Sequence, residues 1–231
     1  MQSLTVAAII PVINEVALVN LAIDRAWLAG VDEVIVVDGG STDGTRTFLQ
    51  SARCTPSESP PGRAIQQNHG ARLSTSDVVL FLHADNWLAA GAAAQIRTAL
   101  TDSTAVQWGA FRQRIESDAS IFRLIERGNS MRARWLGLAY GDQGIFFRRN
   151  VFDESGGFPD VPLMEDYLFS RKLRWKQPRI LLDGPLFVSP RRWLRRGPIR
   201  QTLLNWRILT GFHLGSPLQS LANLYRRHDQ P

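Results

Sequence analysis

Residues 34–45 read VIVVDGGSTDGT. The apolar run Val34–Val37 ends in Asp38, and the turn-rich GGSTDGT then opens a helix through Thr47, Phe48 and Leu49. A short buried strand delivered through a turn into a helix is one βα unit of a parallel sheet. Upstream, Leu4–Val12 reads as a second buried strand. Asn14 can cap the helix after it, whose apolar face includes Val16, Val19, Leu21, Ile23 and Trp27. Downstream, Arg53–Thr55 is expected as a short strand and PSESPPG (56–62) as a loop. Arg63–Leu73 is expected as a helix, Val78–Leu82 as a strand and Gly91–Leu100 as a helix. The second half is less regular, with strands at Ala105–Arg112, Gly144–Phe147 and Ile180–Val188. Its helices are Ser120–Trp135 and Met164–Trp175. The expected fold is α/β, a mostly parallel central sheet with helices on both faces, in one domain over residues 1–196. Residues 197–231 form a basic helical extension, broken at Gly211 and at Ser216-Pro217.

Hydrophobic residues make up 44% of the 231 and charged residues 21%, as in an ordinary globular protein rather than a disordered or fibrous one. Cys54 is the single cysteine, which excludes an intrachain disulfide and any multi-cysteine zinc site. That suits a reducing cytosol. The N-terminal MQSLTVAAIIPVINE lacks the basic start and cleavage site of a signal peptide. No apolar run approaches the roughly 20 residues that span a bilayer, so a cytoplasmic protein is expected.

Charge divides the chain. Residues 1–170 carry 14 arginines and no lysine against 19 carboxylates, whereas residues 171–231 carry 13 cationic side chains against Asp183 and Asp229. An acidic body with a basic tail points to an anionic partner for the tail. From Pro198 to Arg227, apolar residues such as Leu203, Trp206 and Leu214 alternate with arginines. Such a stretch can lie in a membrane interface, peripheral to the inner face, or cap its own domain. It contains no recognisable nucleic-acid motif, and no nucleic acid is expected as partner.

Open α/β sheets bind ligands beyond the carboxyl ends of their strands. Pro11, Asn14 and Glu15 follow the first strand, Asp38 the second, and His83-Ala84-Asp85 the strand at 78–82. Carboxylates at the tips of apolar runs are costly unless they meet water, a metal or ligand donors. No glycine-rich phosphate loop of the GxGxxG or GxxxxGK[ST] kind is present. A nucleoside diphosphate held without one calls for a divalent cation, and Asp85 offers a hard oxygen for Mg²⁺ or Mn²⁺. Asp38 can accept hydrogen bonds from a base or ribose, while Asp43 is expected to cap backbone N–H groups in the turn.

Six segments together carry a resemblance. IIPVINE (9–15), VVDGGSTDGT (36–45), GRAIQQNHGA (62–71), LFLHAD (80–85), GDQGIFFRR (141–149) and MEDYLFSRKL (164–173) stand in the order found in family 2 glycosyltransferases of the GT-A fold. In particular the chain resembles a compact bacterial subgroup with HAD at the metal motif. The resemblance implies an inverting glycosyltransferase that moves a sugar from a UDP- or GDP-sugar to a hydroxyl acceptor (glycan, lipid or small molecule). It implies that Pro11, Asn14, Glu15, Asp38, Arg63 and His83 line the nucleotide pocket and that Asp85 holds the metal. His83 stands where the family's DxD motif begins with Asp. The resemblance further implies that Asp166 is the catalytic base with Glu165 beside it. Asp142, Gln143, Arg191, Arg192 and Trp193 are then acceptor or diphosphate contacts. On the residues alone, two other readings stay open: a sugar-phosphate nucleotidyltransferase, and a nucleotide-sugar-binding module whose basic tail engages lipid or nucleic acid.

Overall fold

A computed structural model describes residues 3–227. The chain begins β1 (Val6–Val12), α1 (Val19–Leu28), β2 (Glu33–Asp38), α2 (Thr45–Leu49), β3 (Thr55–Glu58), α3 (Arg63–Leu73) and β4 (Val78–Phe81). It continues β5 (Asn86–Leu88), α4 (Ala92–Asp102), β6 (Trp108–Ile115), α5 (Ser120–Met131), β7 (Phe146–Arg148), α6 (Arg149–Glu154) and α7 (Glu165–Leu173). The last elements are β8 (Arg179–Val188), α8 (Arg191–Arg196), α9 (Pro198–His213) and α10 (Leu218–Arg227).

One eight-stranded sheet runs in the order β3-β2-β1-β4-β7-β6-β8-β5. The strands from β3 to β4 are parallel, with Ile9 lying between Ile35 and Phe81. β7 enters antiparallel between β4 and β6, and β5 is antiparallel to β8, so the parallel half expected from the sequence is joined to a mixed one. Alternating side chains feed the two faces, as the strand period of two requires. Ala8, Ile10, Val36 and Leu80 pack with Ile23, Ile96 and Phe122 on one side. Ile9, Val37 and Phe81 pack with Ala71 and a nest of Phe147, Phe152, Phe158 and Phe169 on the other. Each fully buried phenylalanine contributes about 1.5–3 kcal/mol of apolar burial. Gly70 lets α3 close onto this face, because a Cβ there would stand 2.5 Å from Ile9 Cγ2.

The structure moves several sequence boundaries. Residues 56–58, read as loop, are the body of β3, because Pro56–Glu58 pair with Val36–Asp38 on the open edge. Proline is tolerated on an edge strand. Asn14 does not cap α1, which starts five residues later at Val19. Instead Asn14 takes a left-handed conformation (φ +54°), and its Oδ1 accepts the Thr42 N–H at 2.8 Å. It thus stitches the end of β1 to the turn after β2. The buried face of α1 is Val19, Ala22, Ile23 and Ala26, and Val16 and Leu21 are exposed. Strand β6 runs on to Ile115 because Phe111, Gln113 and Ile115 stay buried while Arg112 and Arg114 point outward. The helix expected to reach Trp135 leaves α geometry at Arg132, and Arg132–Leu136 is a π-helical turn.

The C-terminal helices carry a small core of their own, in which Leu204, Ile208 and Leu221 meet Leu163, Met164, Phe212 and Tyr225. They are tied to α7 through Tyr167, whose ring lies 5.8 Å from that of Phe212 and whose hydroxyl lies 2.9 Å from His213 Nε2.

Candidate active site

Two adjoining clefts open at the carboxyl ends of β1 and β4. The larger, about 730 Å³, is bordered by Pro11, Glu15, Arg63, Gln66, Asp85 and Arg191. The smaller, about 160 Å³, is bordered by Tyr140, Asp142, Asp166, Tyr167, Trp193 and Ile208. Arg63, His83, Asp85, Leu163 and Tyr225 border both and mark the junction. Neighbouring residues of α7 divide between the clefts: Glu165 borders the larger and Asp166 the smaller.

Asp85 sits in a tight turn after β4. The turn is held by the His83 N–H donating to Asn86 Oδ1 at 2.9 Å and by the Ser189 N–H donating to the Asp85 carbonyl at 3.3 Å. One guanidinium serves two carboxylates here: Arg191 Nη2 lies 3.1 Å from Asp85 Oδ2 and 3.6 Å from Glu15 Oε1. The Arg191 side chain is 40% exposed, so each pair contributes only about 0–1 kcal/mol and is easily exchanged. Among the described residues no three His, Cys, Asp or Glu side chains form a metal cage. Mg²⁺ and Mn²⁺ do not need one when substrate phosphates complete the coordination. A single accessible carboxylate that already gathers positive charge fits that mode.

Glu165 is buried and pairs with Arg63 at 3.3 Å. Burial pushes its carboxyl above the usual range, Arg63 pulls it back, and the neighbouring Asp166 charge raises it again. Asp166 is oriented by two backbone donors: Tyr167 N–H to Oδ1 at 2.6 Å, and Gly141 N–H to Oδ2. Its carboxylate therefore has a fixed pose at the start of α7, where negative charge is favoured.

Behind the smaller cleft lies a polar layer that sequence reasoning missed. The Arg132 guanidinium stacks on the Tyr140 ring at 3.5 Å and donates to Leu138 O, Asn129 Oδ1 and Gln143 Oε1. Burial lowers the pKa of Arg132, and the charges of Tyr140, Asp142 and Asp166 work against that shift. Gln113 and Asn129 extend the network to the Asp142 carbonyl. A π-turn often marks a functional site; here Arg132 opens one, which no periodicity in the sequence announces. Gln66 was also missed: its amide donates to Val12 O and Val37 O at 2.9 and 2.8 Å, bridging β1 and β2 under the larger cleft.

The remaining sequence candidates take other places. Asp38 is 1% exposed and borders neither cleft. Its Oδ1 accepts the Gly40 and Ser41 N–H groups, while its buried Oδ2 has no hydrogen-bond partner. Asp43 braces the turn as expected, accepting from Val16 N–H and from the Thr45 N–H and hydroxyl. Asn14 borders neither cleft, being spent on the turn at 41–42. Gln143 is fully buried and reaches neither cleft; it positions Arg132 and the Tyr140 backbone rather than touching an acceptor. Trp193 packs against Phe122 at 5.9 Å and shows one edge to the smaller cleft. The Arg192 side chain lies outside the described residues.

Gly141 is a steric requirement of this arrangement. A Cβ there would meet His83 Nε2 at 2.6 Å and Asp166 Oδ2 at 3.2 Å. Gly141→Ala is expected to leave the fold intact and to lower kcat about 10–100-fold by displacing Asp166 and His83. Steady-state rates beside a thermal unfolding midpoint check it, and wild-type turnover would remove Gly141 from the site.

The family model for glycosyl transferase family 2 matches residues 7–158. Among solved structures, the mannosyltransferase PcManGT from Pyrobaculum calidifontis, in complex with GDP-Man and Mn²⁺, superposes with a TM-score of 0.67 at 23% identity. That alignment covers 93% of this chain and 63% of that one. TarS residues 1–349 from S. aureus, in complex with UDP, gives a TM-score of 0.59 at 19% identity over 80% of this chain and 61% of that one. The chain thus spans less than two thirds of either, and these likenesses establish the GT-A fold. No curated protein matches the sequence. With about two thirds of its length inside the family model, and with its acidic side chains at the strand ends, the chain belongs to glycosyl transferase family 2.

Proposed function

We propose that this glycosyltransferase moves a sugar from a UDP- or GDP-sugar to a hydroxyl acceptor with inversion at the anomeric carbon. The carrying observation is the division of α7: Glu165 with Arg63 borders the larger cleft, while Asp166 borders the smaller one beside Asp85. The larger cleft has the volume of a cofactor-sized ligand site and takes the donor. The sugar then lies at the junction and the acceptor in the smaller cleft. The solved relatives' ligands, GDP-Man with Mn²⁺ and UDP, belong to the same donor class.

Asp166 takes the proton from the acceptor hydroxyl, whose oxygen forms the new bond to the anomeric carbon. The bond from that carbon to the diphosphate oxygen breaks on the opposite side, and the diphosphate leaves with the electron pair. Arg191, released from Asp85 and Glu15, and Arg63 can offer bidentate contacts to the departing oxygens. Asp85 would hold a Mg²⁺ or Mn²⁺ ion, which when bound supplies neutralisation of the charge on the leaving diphosphate. The C-terminal helical segment, which begins at residue 197, completes the acceptor side through Ile208 and Leu209. A cytoplasmic site of action belongs to the same proposal. The lone Cys54 thiol is half-buried, and burial pushes its pKa up to about 11, which suits a structural thiol in a reducing compartment.

A thermal-shift screen of UDP-, GDP- and dTDP-sugars with and without Mn²⁺ tests the donor assignment. A donor at about 100 times its Kd stabilises by about 2.7 kcal/mol, or roughly 5–10 °C in a chain of this size. One nucleotide class should stand out and should shift further with Mn²⁺. No shift with any of the three, alongside pyrophosphate release from a nucleoside triphosphate and a sugar phosphate, would move the assignment to a nucleotidyltransferase.

A further inference from the structure

Helix α9 is apolar on two opposite faces. Leu204 and Ile208 face inward, 9% and 5% exposed. Ile199, Leu203 and Trp206, spaced by four and three residues and therefore on one stripe, are 66%, 61% and 69% exposed. Arg200 and Arg207 follow the first and last of these by one residue and are also exposed, flanking the stripe along one side. The preceding α8 packs against α9 and adds exposed Leu194 and Arg195, and Leu214 past the end of α9 is 81% exposed. Between Asp183 and Asp229 the sequence has eight arginines and no carboxylate.

Single exposed apolar residues are ordinary, but a continuous stripe on one helix face is not. The composition of this one selects among partners. An aliphatic and tryptophan ridge edged by arginine, in a stretch of sequence without a carboxylate, matches a helix lying in the headgroup layer of an anionic bilayer. Tryptophan favours that depth because its ring is apolar and its N–H is wet. No helix among the described residues is long and apolar enough to cross a membrane, so the contact is one of lying on the surface.

We infer that α9, with α8, docks the protein on an anionic membrane surface through Ile199, Leu203 and Trp206. The inner face of the same helix supplies Ile208 and Leu209 to the smaller cleft, so one helix faces both the membrane and the acceptor side. The docking itself does not depend on the assignment of the reaction.

Flotation of the full chain with vesicles of phosphatidylcholine alone, or with about 30% phosphatidylglycerol, tests it. The protein should float with the anionic vesicles at low salt, less at high salt, and remain at the bottom with the neutral ones. Leu203→Ser with Trp206→Ser should cut vesicle binding at least about tenfold. Both side chains are mostly exposed, so the thermal midpoint should move by less than about 2 °C. Arg200→Gln with Arg207→Gln should weaken binding to anionic vesicles and leave the fold unchanged. Results of two kinds overturn the inference. One is failure of the wild-type chain to float at low salt, or flotation that the Leu203/Trp206 variant retains. The other is a concentration-dependent dimer that this variant dissociates, which would assign the stripe to a second copy of the chain.

Discussion

Replacing Asp166 by Asn is expected to lower kcat by about 10²–10⁴-fold, the range for loss of a general base. Donor binding should stay within about twofold, since the side chain borders only the smaller cleft, the proposed acceptor side. The substitution keeps the size of the side chain but removes its ability to accept a proton from an attacking hydroxyl. It also places an amide N–H where one of two backbone donors, Gly141 or Tyr167, now meets a carboxylate oxygen. Losing one such hydrogen bond to a charged acceptor accounts for about 1.5–3 kcal/mol, roughly 10–150-fold if all of it reached the barrier, so positioning and chemistry must be measured apart. Single-turnover rates with the donor bound separate the two, and calorimetric donor titration checks that the pocket survives. A variant turning over within about tenfold of the wild type would strip Asp166 of the base role and return it to a helix N-terminus charge.

The second large effect is expected at Asp85. Asp85→Asn should cost at least about 100-fold in kcat/KM, close to 2.7 kcal/mol of transition-state stabilisation, and should abolish the extra thermal shift that Mn²⁺ gives with the donor. A neutral amide is a poor ligand for a hard divalent cation held by few protein groups. The same change leaves Arg191 with Glu15 as its remaining carboxylate of the two, so the resting cleft should become more positive. Donor binding without metal should therefore fall little, whereas metal-dependent turnover should collapse. If Mn²⁺ still stimulates the Asn variant to wild-type levels, the cation binds elsewhere or is not needed.

The first half of the fold was legible because its signals are local. Ile9–Val12 and Val34–Val37 are apolar runs that end at turn residues, and their pairing follows from being consecutive βα units. The second half was legible only in outline. β7 is three residues long and is placed by pairing with β4, some 65 residues upstream, which no local period encodes. The position of the clefts was readable at the strand ends, where Pro11, Glu15 and Asp85 border the larger one. The site was misread where a side chain looked available but was already used by backbone. Asn14 and Gln143 are polar residues beside motif positions, yet their oxygens are taken by Thr42 N–H and by Arg132 with Tyr140 N–H. Arg132 escaped notice because it is one of four arginines in an amphipathic stretch, where arginines ordinarily lie on the solvated face. Only the π-turn and the aromatic ring of Tyr140 reveal that it is partly buried.

Both clefts draw on the early and the late parts of the chain, in different shares. Pro11, Glu15 and Gln66 of the larger cleft fall inside the segment matched by the family model, but its Glu165 and Arg191 lie beyond residue 158, as do Tyr167, Trp193, Ile208 and Leu209 of the smaller cleft. Within α9, Asn205, Ile208 and Leu209 border the smaller cleft alone. A chimaera that keeps residues 1–196, with Arg63, Asp85, Glu165 and Arg191, and borrows the later helices from a relative should retain its appetite for the activated sugar yet deliver it to a new recipient.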